Sequence, residues 1–269
     1  MKQITSRDNP QFKQLRGLAN SSRERRKQNK ILLDGMHLVQ AYGERFGFPE
    51  TIAISESGAK RPEIAAYLNA HPEASPLVFS DVLFGEISPV AMPTGILAIV
   101  TTPVTTLSIA SATTSTKQTD VSCVLLDAVQ DPGNLGSILR STAAAGIVDV
   151  FLSEGCALAW SPRVLRAAMG AHFSLQIHEH AVLEDVLRNH QGLSVSTSLQ
   201  GNKTIYEIDL KGPVAWLFGN EGAGLSPSIE KLAQHSVLIP MSSATESLNV
   251  AAAAAICLFE EVRQKRQNL

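Results

Sequence analysis

The sequence predicts an α/β protein in two parts: a small N-terminal α/β domain, then a larger α/β domain built on a mostly parallel sheet. Three observations carry this. Short β-rich runs alternate with helical patterns along the chain. In the second half those runs ("VSCVLLD", "VDVFLS", "LSVSTS", "PVAWLFG", "SVLIP") are buried-type rather than alternating, which marks strands covered on both faces. Between the halves lies a Ser/Thr-rich stretch with no long apolar pattern, which reads as a linker. The expected boundaries are 1–103, a linker at 104–120, and 121–269.

In the first part, helical patterns at 10–29, 35–46, 62–70 and 81–87 alternate with the strand-like runs "TIAIS", "PLVFS" and "GILAIV". In the second, Asp131-Pro132 opens a turn after a buried strand. Leu135, Ile138, Leu139 and Thr142 then fall on one helical face, and Gly146 ends that helix. Ser161-Pro162 and Ser226-Pro227 each place a capping hydroxyl before a proline suited to the first helical position. A last helix is expected to begin near 247–249. Its five alanines, 251–255, give it a thin surface that another helix can approach closely.

Composition excludes several classes. The chain has 269 residues, 44% hydrophobic and 18% charged, which is ordinary globular composition with ample core material. Its net charge is −2, but residues 1–30 alone carry +7, from nine Lys/Arg against Asp8 and Glu24, which leaves −9 for the rest. A basic end on an acidic chain points to an anionic partner engaged by one region. Cys123, Cys156 and Cys257 are odd in number, far apart and in apolar surroundings, as expected of reduced core residues in a cytoplasmic protein. His178 and His180 have no further ligands nearby, so no metal site is expected. The N-terminus is too polar for a secretory signal, and "LNVAAAAAICLF" is too short to span a bilayer.

Three segments could carry chemistry. "LLDAVQDPGNLGSILRSTAAAG" runs from a strand into a helix, with Asn134 at the rim where α/β sheets bind ligands and Arg140 further along. "LFGNEGAGLS" sets three glycines around Glu221. Its spacing matches neither a Walker loop nor the dinucleotide fingerprint, which argues against a Rossmann-type oxidoreductase. A carboxylate would also repel a phosphate. The loop suits a nucleoside ligand of little net negative charge, approached closely by glycine backbone. "LIPMSSATESLNV" leads from a strand through a polar loop to Asn249 at a helix start. Convergent polar side chains at strand ends describe a site.

The three segments, in this order, resemble the three signature motifs of the SpoU-type RNA 2′-O-ribose methyltransferases of the SPOUT superfamily. The matching runs are Asp-Pro-x-Asn-x-Gly with a following Arg, Gly-Asn-Glu-x-x-Gly, and Ile-Pro-Met leading to Ser-Leu-Asn-Val. The resemblance implies a SPOUT-type α/β domain with a deep trefoil knot, preceded by a ribosomal-protein-like α/β domain that binds the RNA substrate. It also implies a homodimer. It assigns S-adenosylmethionine to backbone near Leu217, Gly219, Ile239, Met241 and Leu248, and the catalytic set to Asn134, Arg140, Glu221 and Asn249. Phosphate contacts are expected from Arg7, Arg25, Arg26 and Lys27. Asn29 stands where relatives often have Gly, and Asn tolerates a left-handed backbone. Ser243 also stands where relatives usually have Gly, at a possible strain of ~1 kcal/mol. The expected substrate is ribosomal RNA. A tRNA methyltransferase and a non-catalytic RNA-binding or ribosome-assembly factor are the alternatives.

Overall fold

A computed structural model describes residues 2–72, 74–90, 92–103, 121–242 and 247–266. The expected linker 104–120 and Ser243 fall outside the described residues. The chain divides into two compact units, 1–104 with Trp160–Phe173, and 105–159 with Ser174–Leu269. The sequence reading places Trp160–Phe173 in the 121–269 domain, whereas the structure groups it with the N-terminal unit. The reason is packing: Leu165 and Phe173 are buried in one apolar cluster with Ile31, Leu33, Val39 and Ile54.

The N-terminal unit has five strands, β1 (Lys2–Ile4), β2 (Lys30–Asp34), β3 (Thr51–Ser55), β4 (Leu77–Phe79) and β5 (Ile96–Thr101), in the order β1-β4-β3-β5-β2. β1, β4 and β3 run parallel, and β5 is antiparallel to both β3 and β2. Successive strand residues enter opposite cores: Ile31, Leu33, Ile52 and Ile54 on one face, Leu32 and Ala53 on the other. The helix expected over 10–29 is two helices, Pro10–Asn20 and Ser22–Gln28. Ser21 takes an extended backbone and its hydroxyl accepts from the Glu24 amide at 3.2 Å, so it caps the second helix and breaks the first. Asn29 ends that second helix with φ +50°, the left-handed conformation its side chain tolerates. The three-residue β1 was not anticipated.

The second unit has seven strands: β6 (Cys123–Leu126), β7 (Asp149–Leu152), β8 (Gln176–His178), β9 (Leu193–Thr197), β10 (Lys203–Thr204), β11 (Val214–Phe218) and β12 (His235–Leu238). Their order is β10-β12-β9-β11-β6-β7-β8, and every pairing is parallel. β6 and β11 are buried along their whole lengths, as their apolar runs require. β11 fills the place between β9 and β6, and β12 the place between β10 and β9, so late strands enter among earlier ones. The carboxyl ends of β12, β9, β11 and β6 therefore stand side by side.

Asp131 caps the helix Pro132–Ala144, accepting from the Asn134 amide at 2.8 Å, and Gly146 follows its end with φ +78°. The last helix, Val250–Arg266, packs on Pro132–Ala144. Beyond its alanines it carries the buried polar residues Glu260, Glu261 and Gln264, which its alanine-rich sequence did not disclose. Glu261 accepts from the Trp216 indole N–H, the Ser122 hydroxyl and the Lys265 ammonium. Gln264 accepts from the Leu210 amide at 2.9 Å and donates to the Ile208 carbonyl at 3.1 Å. Cys123 and Cys257 are buried, and burial pushes each thiol up to about 12; Cys156 is only half-buried. Among the described residues no helix is long and apolar enough to cross a membrane.

Candidate active site

The site grows from the end of β6. Asp127 continues the ladder, its amide donating to the Phe218 carbonyl at 2.9 Å. Ala128 then takes φ +53°, a backbone unusual for alanine, and turns the chain toward the helix Pro132–Ala144. The glycine loop after β11 lies against this turn. Asn220 closes the loop by exchanging backbone bonds of 2.9 Å with Gly224, while its side-chain oxygen accepts from the amides of Gly222 and Ala223. Its amide nitrogen donates to the Ala128 carbonyl at 2.8 Å. Gly219 is required by this closure: a Cβ there would lie 2.3 Å from the Gly224 carbonyl carbon.

Glu221 projects from that loop onto the β6 turn. Its Oε1 accepts from the Asp131 amide at 3.1 Å and from Asn134 Nδ2 at 3.0 Å, and its Oε2 accepts from the Gln130 amide at 3.3 Å. Partial burial pushes this carboxyl up. The donors Asn134, its own amide, Asp131 and Gln130 outweigh that and hold it below the ordinary glutamate value. Asn134 passes the connection on, its Oδ1 accepting from Asn249 Nδ2 at 2.8 Å. Asn249 Oδ1 in turn accepts from the amides of Ala251 and Ala252 at 2.9 and 3.3 Å, so it caps the last helix while bridging to Asn134. Asp131, not Asn134, caps the other helix, which leaves the Asn134 side chain free to bridge.

Three of the four expected catalytic residues are thus joined in one hydrogen-bonded chain. Arg140 is not part of it. It is exposed on the same helix, six residues or roughly 9 Å beyond Asn134, and among the described residues its side chain makes no hydrogen bond or ion pair.

Beside this chain, at the ends of β9 and β12, is an open cleft of about 130 Å³. Its described lining is Thr197, Ser198, Leu199, Leu238, Ile239, Met241, Ser247, Leu248 and Ala253. Ile239, Met241 and Leu248 of the expected cofactor set line it. Leu217 and Gly219 do not; Leu217 is buried within β11 and Gly219 follows that strand's end. The position of Thr197–Leu199 on this cleft was not anticipated, since the run Leu193–Thr197 of β9 gave no sign that its end borders one.

In the N-terminal unit the expected RNA-binding residues divide into two kinds. Arg7 forks onto Glu86, and Arg25 donates to the carbonyls of Leu18 and Ala19, closing the end of the helix Pro10–Asn20. Arg26 and Lys27 are exposed on Ser22–Gln28, a helix with no buried residue.

Residues 122–259 match the model of the SpoU rRNA Methylase family. The chain belongs to the SpoU rRNA methylase family. This SpoU protein is 35% identical over 266 residues to the uncharacterized tRNA/rRNA methyltransferase of Synechocystis sp., covering 97% of this chain and 94% of that one. It is 30% identical over 261 residues to the 23S rRNA (guanosine(2553)-2′-O)-methyltransferase RlmP of Bacillus subtilis, covering 96% and 98%. Among solved structures it resembles an RNA 2′-O ribose methyltransferase with TM-score 0.84 and 29% identity, covering 98% and 99% of the two chains. It also resembles the AdoMet-bound rRNA methyltransferase of Sinorhizobium meliloti, with TM-score 0.79 and 28% identity, covering 100% and 98%. The SpoU match begins at β6 and takes in every residue of the Glu221–Asn134–Asn249 chain.

Proposed function

We propose that this chain transfers a methyl group from S-adenosylmethionine to a ribose 2′-hydroxyl of ribosomal RNA. The observation that carries the reading is the Glu221–Asn134–Asn249 chain, which draws three segments distant in sequence onto one sheet edge beside an open, largely apolar cleft. Ribosomal RNA is favoured over tRNA because RlmP, a relative matched over nearly its whole length, is named for 23S rRNA.

The lining of the cleft suits the cofactor, although its volume of about 130 Å³ is below the roughly 300–1,000 Å³ of enclosed small-molecule sites. Its described lining combines apolar side chains with the hydroxyls of Thr197, Ser198 and Ser247 and includes no lysine or arginine, which suits a nucleoside without phosphates. Ile239, Met241 and Leu248 would hold it, with Leu217 and Gly219 supporting the neighbouring strand end. When bound, S-adenosylmethionine supplies a methyl group on a sulfonium that carries its own leaving group, so the reaction needs no metal.

The protein's residues orient the acceptor and ease the loss of its proton. Arg140 remains a cation, so its part is to hold the target nucleotide's phosphate and stabilise the developing 2′-alkoxide. Glu221 is not the base, because its oxygens are taken by donors and its carboxyl is held below the ordinary value. It fixes the β6 turn, and Asn249 fixes the last helix to that turn through Asn134. The exposed basic helix Ser22–Gln28 grips RNA phosphates.

The proposal includes a trefoil knot, a ribosomal-protein-like N-terminal domain, a homodimer and a cytoplasmic setting. Support for the knot is the entry of β11 and β12 among earlier strands, followed by the packing of Val250–Arg266 on Pro132–Ala144. Mapping ribose methylation in total cellular RNA with and without this protein tests the function. One ribosomal position should lose its methyl group. Loss from a tRNA would move the substrate, and an unchanged map would leave a non-catalytic RNA-binding factor.

A further inference from the structure

Asp127 carries none of the roles assigned above, yet it is the only carboxylate at the exact end of a central strand whose two oxygens serve two different loops among the described residues. It is 9% exposed. Its Oδ1 accepts from the Ser153 hydroxyl at 3.2 Å, in the loop after β7, and its Oδ2 accepts from the Ser226 amide at 2.8 Å, at the far end of the glycine loop that follows β11. Ser153 Oγ also accepts from the Ala128 amide at 2.9 Å, which braces the strained φ +53° turn.

The glycine loop is consequently tied at three places to the segment following β6. Asn220 holds its start to the Ala128 carbonyl, Glu221 holds its middle to Gln130, Asp131 and Asn134, and Ser226 holds its end to Asp127. Contrary to the sequence expectation, the Ser226 hydroxyl makes no cap for its own helix and lies 3.4 Å from that of Ser228, while its amide donates to Asp127. We infer that Asp127 is a positioning residue for methyl transfer: it sets the seating of the Gly219–Ser226 loop, and through Glu221 the placement of Asn134 and Asn249. This rests on the methyl-transfer reading.

The role is geometric, which makes it testable by isostere. Asparagine can keep every bond: its carbonyl accepts from the Ser226 amide, and its NH₂ donates to Ser153 Oγ, which still has the Glu154 carbonyl at 3.2 Å as an acceptor. Alanine keeps none. The experiment measures kcat and the RNA KM, together with cofactor stoichiometry by calorimetry, for Asp127→Asn, Asp127→Ala and Ser153→Ala. Asp127→Ala should lose about a hundredfold in kcat while still binding one cofactor per chain with a near-normal RNA KM, and Asp127→Asn should stay within about threefold of the parent. Ser153→Ala, which cuts one tie at a half-buried position, should fall by roughly tenfold and serves if Asp127→Ala does not fold. The proposal is overturned if kcat is unchanged in Asp127→Ala, or in Ser153→Ala where that variant stands in. It is also overturned if activity falls only in step with lost cofactor stoichiometry, or if Asp127→Asn falls as far as Asp127→Ala. A parent protein that methylates no RNA would instead refute the methyl-transfer reading itself.

Discussion

Glu221 is exposed and still accepts hydrogen bonds from two amides and an asparagine. A carboxylate in a glycine loop is a poor phosphate ligand but a good clamp for the N–H groups of a turn. Because its folded pKa lies below the ordinary value of 4.5, its contribution to stability is fully present above that value and is lost as pH falls through the lowered one. Glu221→Gln should therefore melt below the parent at neutral pH, and the gap should close in acid, where the parent's carboxyl is also neutral. A gap independent of pH in thermal scans would mean that the charge is not what holds the turn. The same variant should lose roughly tenfold to a hundredfold in methyl transfer, since the loop is displaced and not removed. Arg140 offers a second test that separates binding from transfer. It is exposed and its side chain makes no bond among the described residues, so Arg140→Ala should keep its fold and its cofactor affinity by calorimetry. Methyl transfer should drop by about a hundredfold or more. Lost cofactor affinity would place this arginine in the cofactor cleft instead.

At the scale of elements, what was legible rested on local rules, and these held unevenly. Of the two Ser-Pro starts, Ser161 caps its helix through its hydroxyl and Ser226 does not, while the turn read at Asp131-Pro132 does open a helix, with Asp131 as its cap. The break at Ser21 was missed although its cap on the Glu24 amide is local too, because the run 10–29 has helical composition on both sides of it; Arg25 then closes the first helix onto Leu18 and Ala19. Strand order was equally hidden, since periodicity shows that β11 is buried but not which strands flank it. The bond between Asn134 and Asn249 spans 115 positions, and no spacing rule reaches so far. The helix Ser22–Gln28 shows how charge acquires meaning from structure. It buries nothing, and of its basic residues Arg25 is spent on a helix end while Arg23, Arg26 and Lys27 face solvent. Changing these three to glutamine should weaken RNA binding and flatten its dependence on log[salt] by about 2–3, at roughly 0.7–0.9 per phosphate contact. An unchanged slope would assign the phosphate contacts elsewhere.

At the scale of the whole molecule, the two units are not two consecutive lengths of chain. The core of the N-terminal unit is completed by Trp160–Phe173, a segment that follows β7 of the other unit in sequence. This explains why the boundary expected at 121 fails for that segment. "SPRVLRAAMGAHFSL" has an amphipathic pattern that says it is buried, and nothing local says in which core. Leu165 is fully buried and Phe173 is 6% exposed, so each contributes roughly 1.5–3 kcal/mol of burial to a unit whose total stability is on the order of 5–15 kcal/mol. Residues 1–104 alone should then be poorly folded, and fusing 160–173 to them should restore a cooperative transition. In the full chain, Leu165→Ala should lower the N-terminal unit's stability by about 2–5 kcal/mol. Saturating S-adenosylmethionine acts on the other unit, where about 2.7 kcal/mol is gained at a hundredfold excess over Kd. Calorimetry should therefore show two transitions, one lowered by Leu165→Ala and insensitive to the cofactor, the other raised by the cofactor and insensitive to the mutation. If one transition responds to both, the units unfold together. If residues 1–104 fold as well without the segment as with it, Leu165 and Phe173 are passengers in that core and the division of the chain returns to the simpler one.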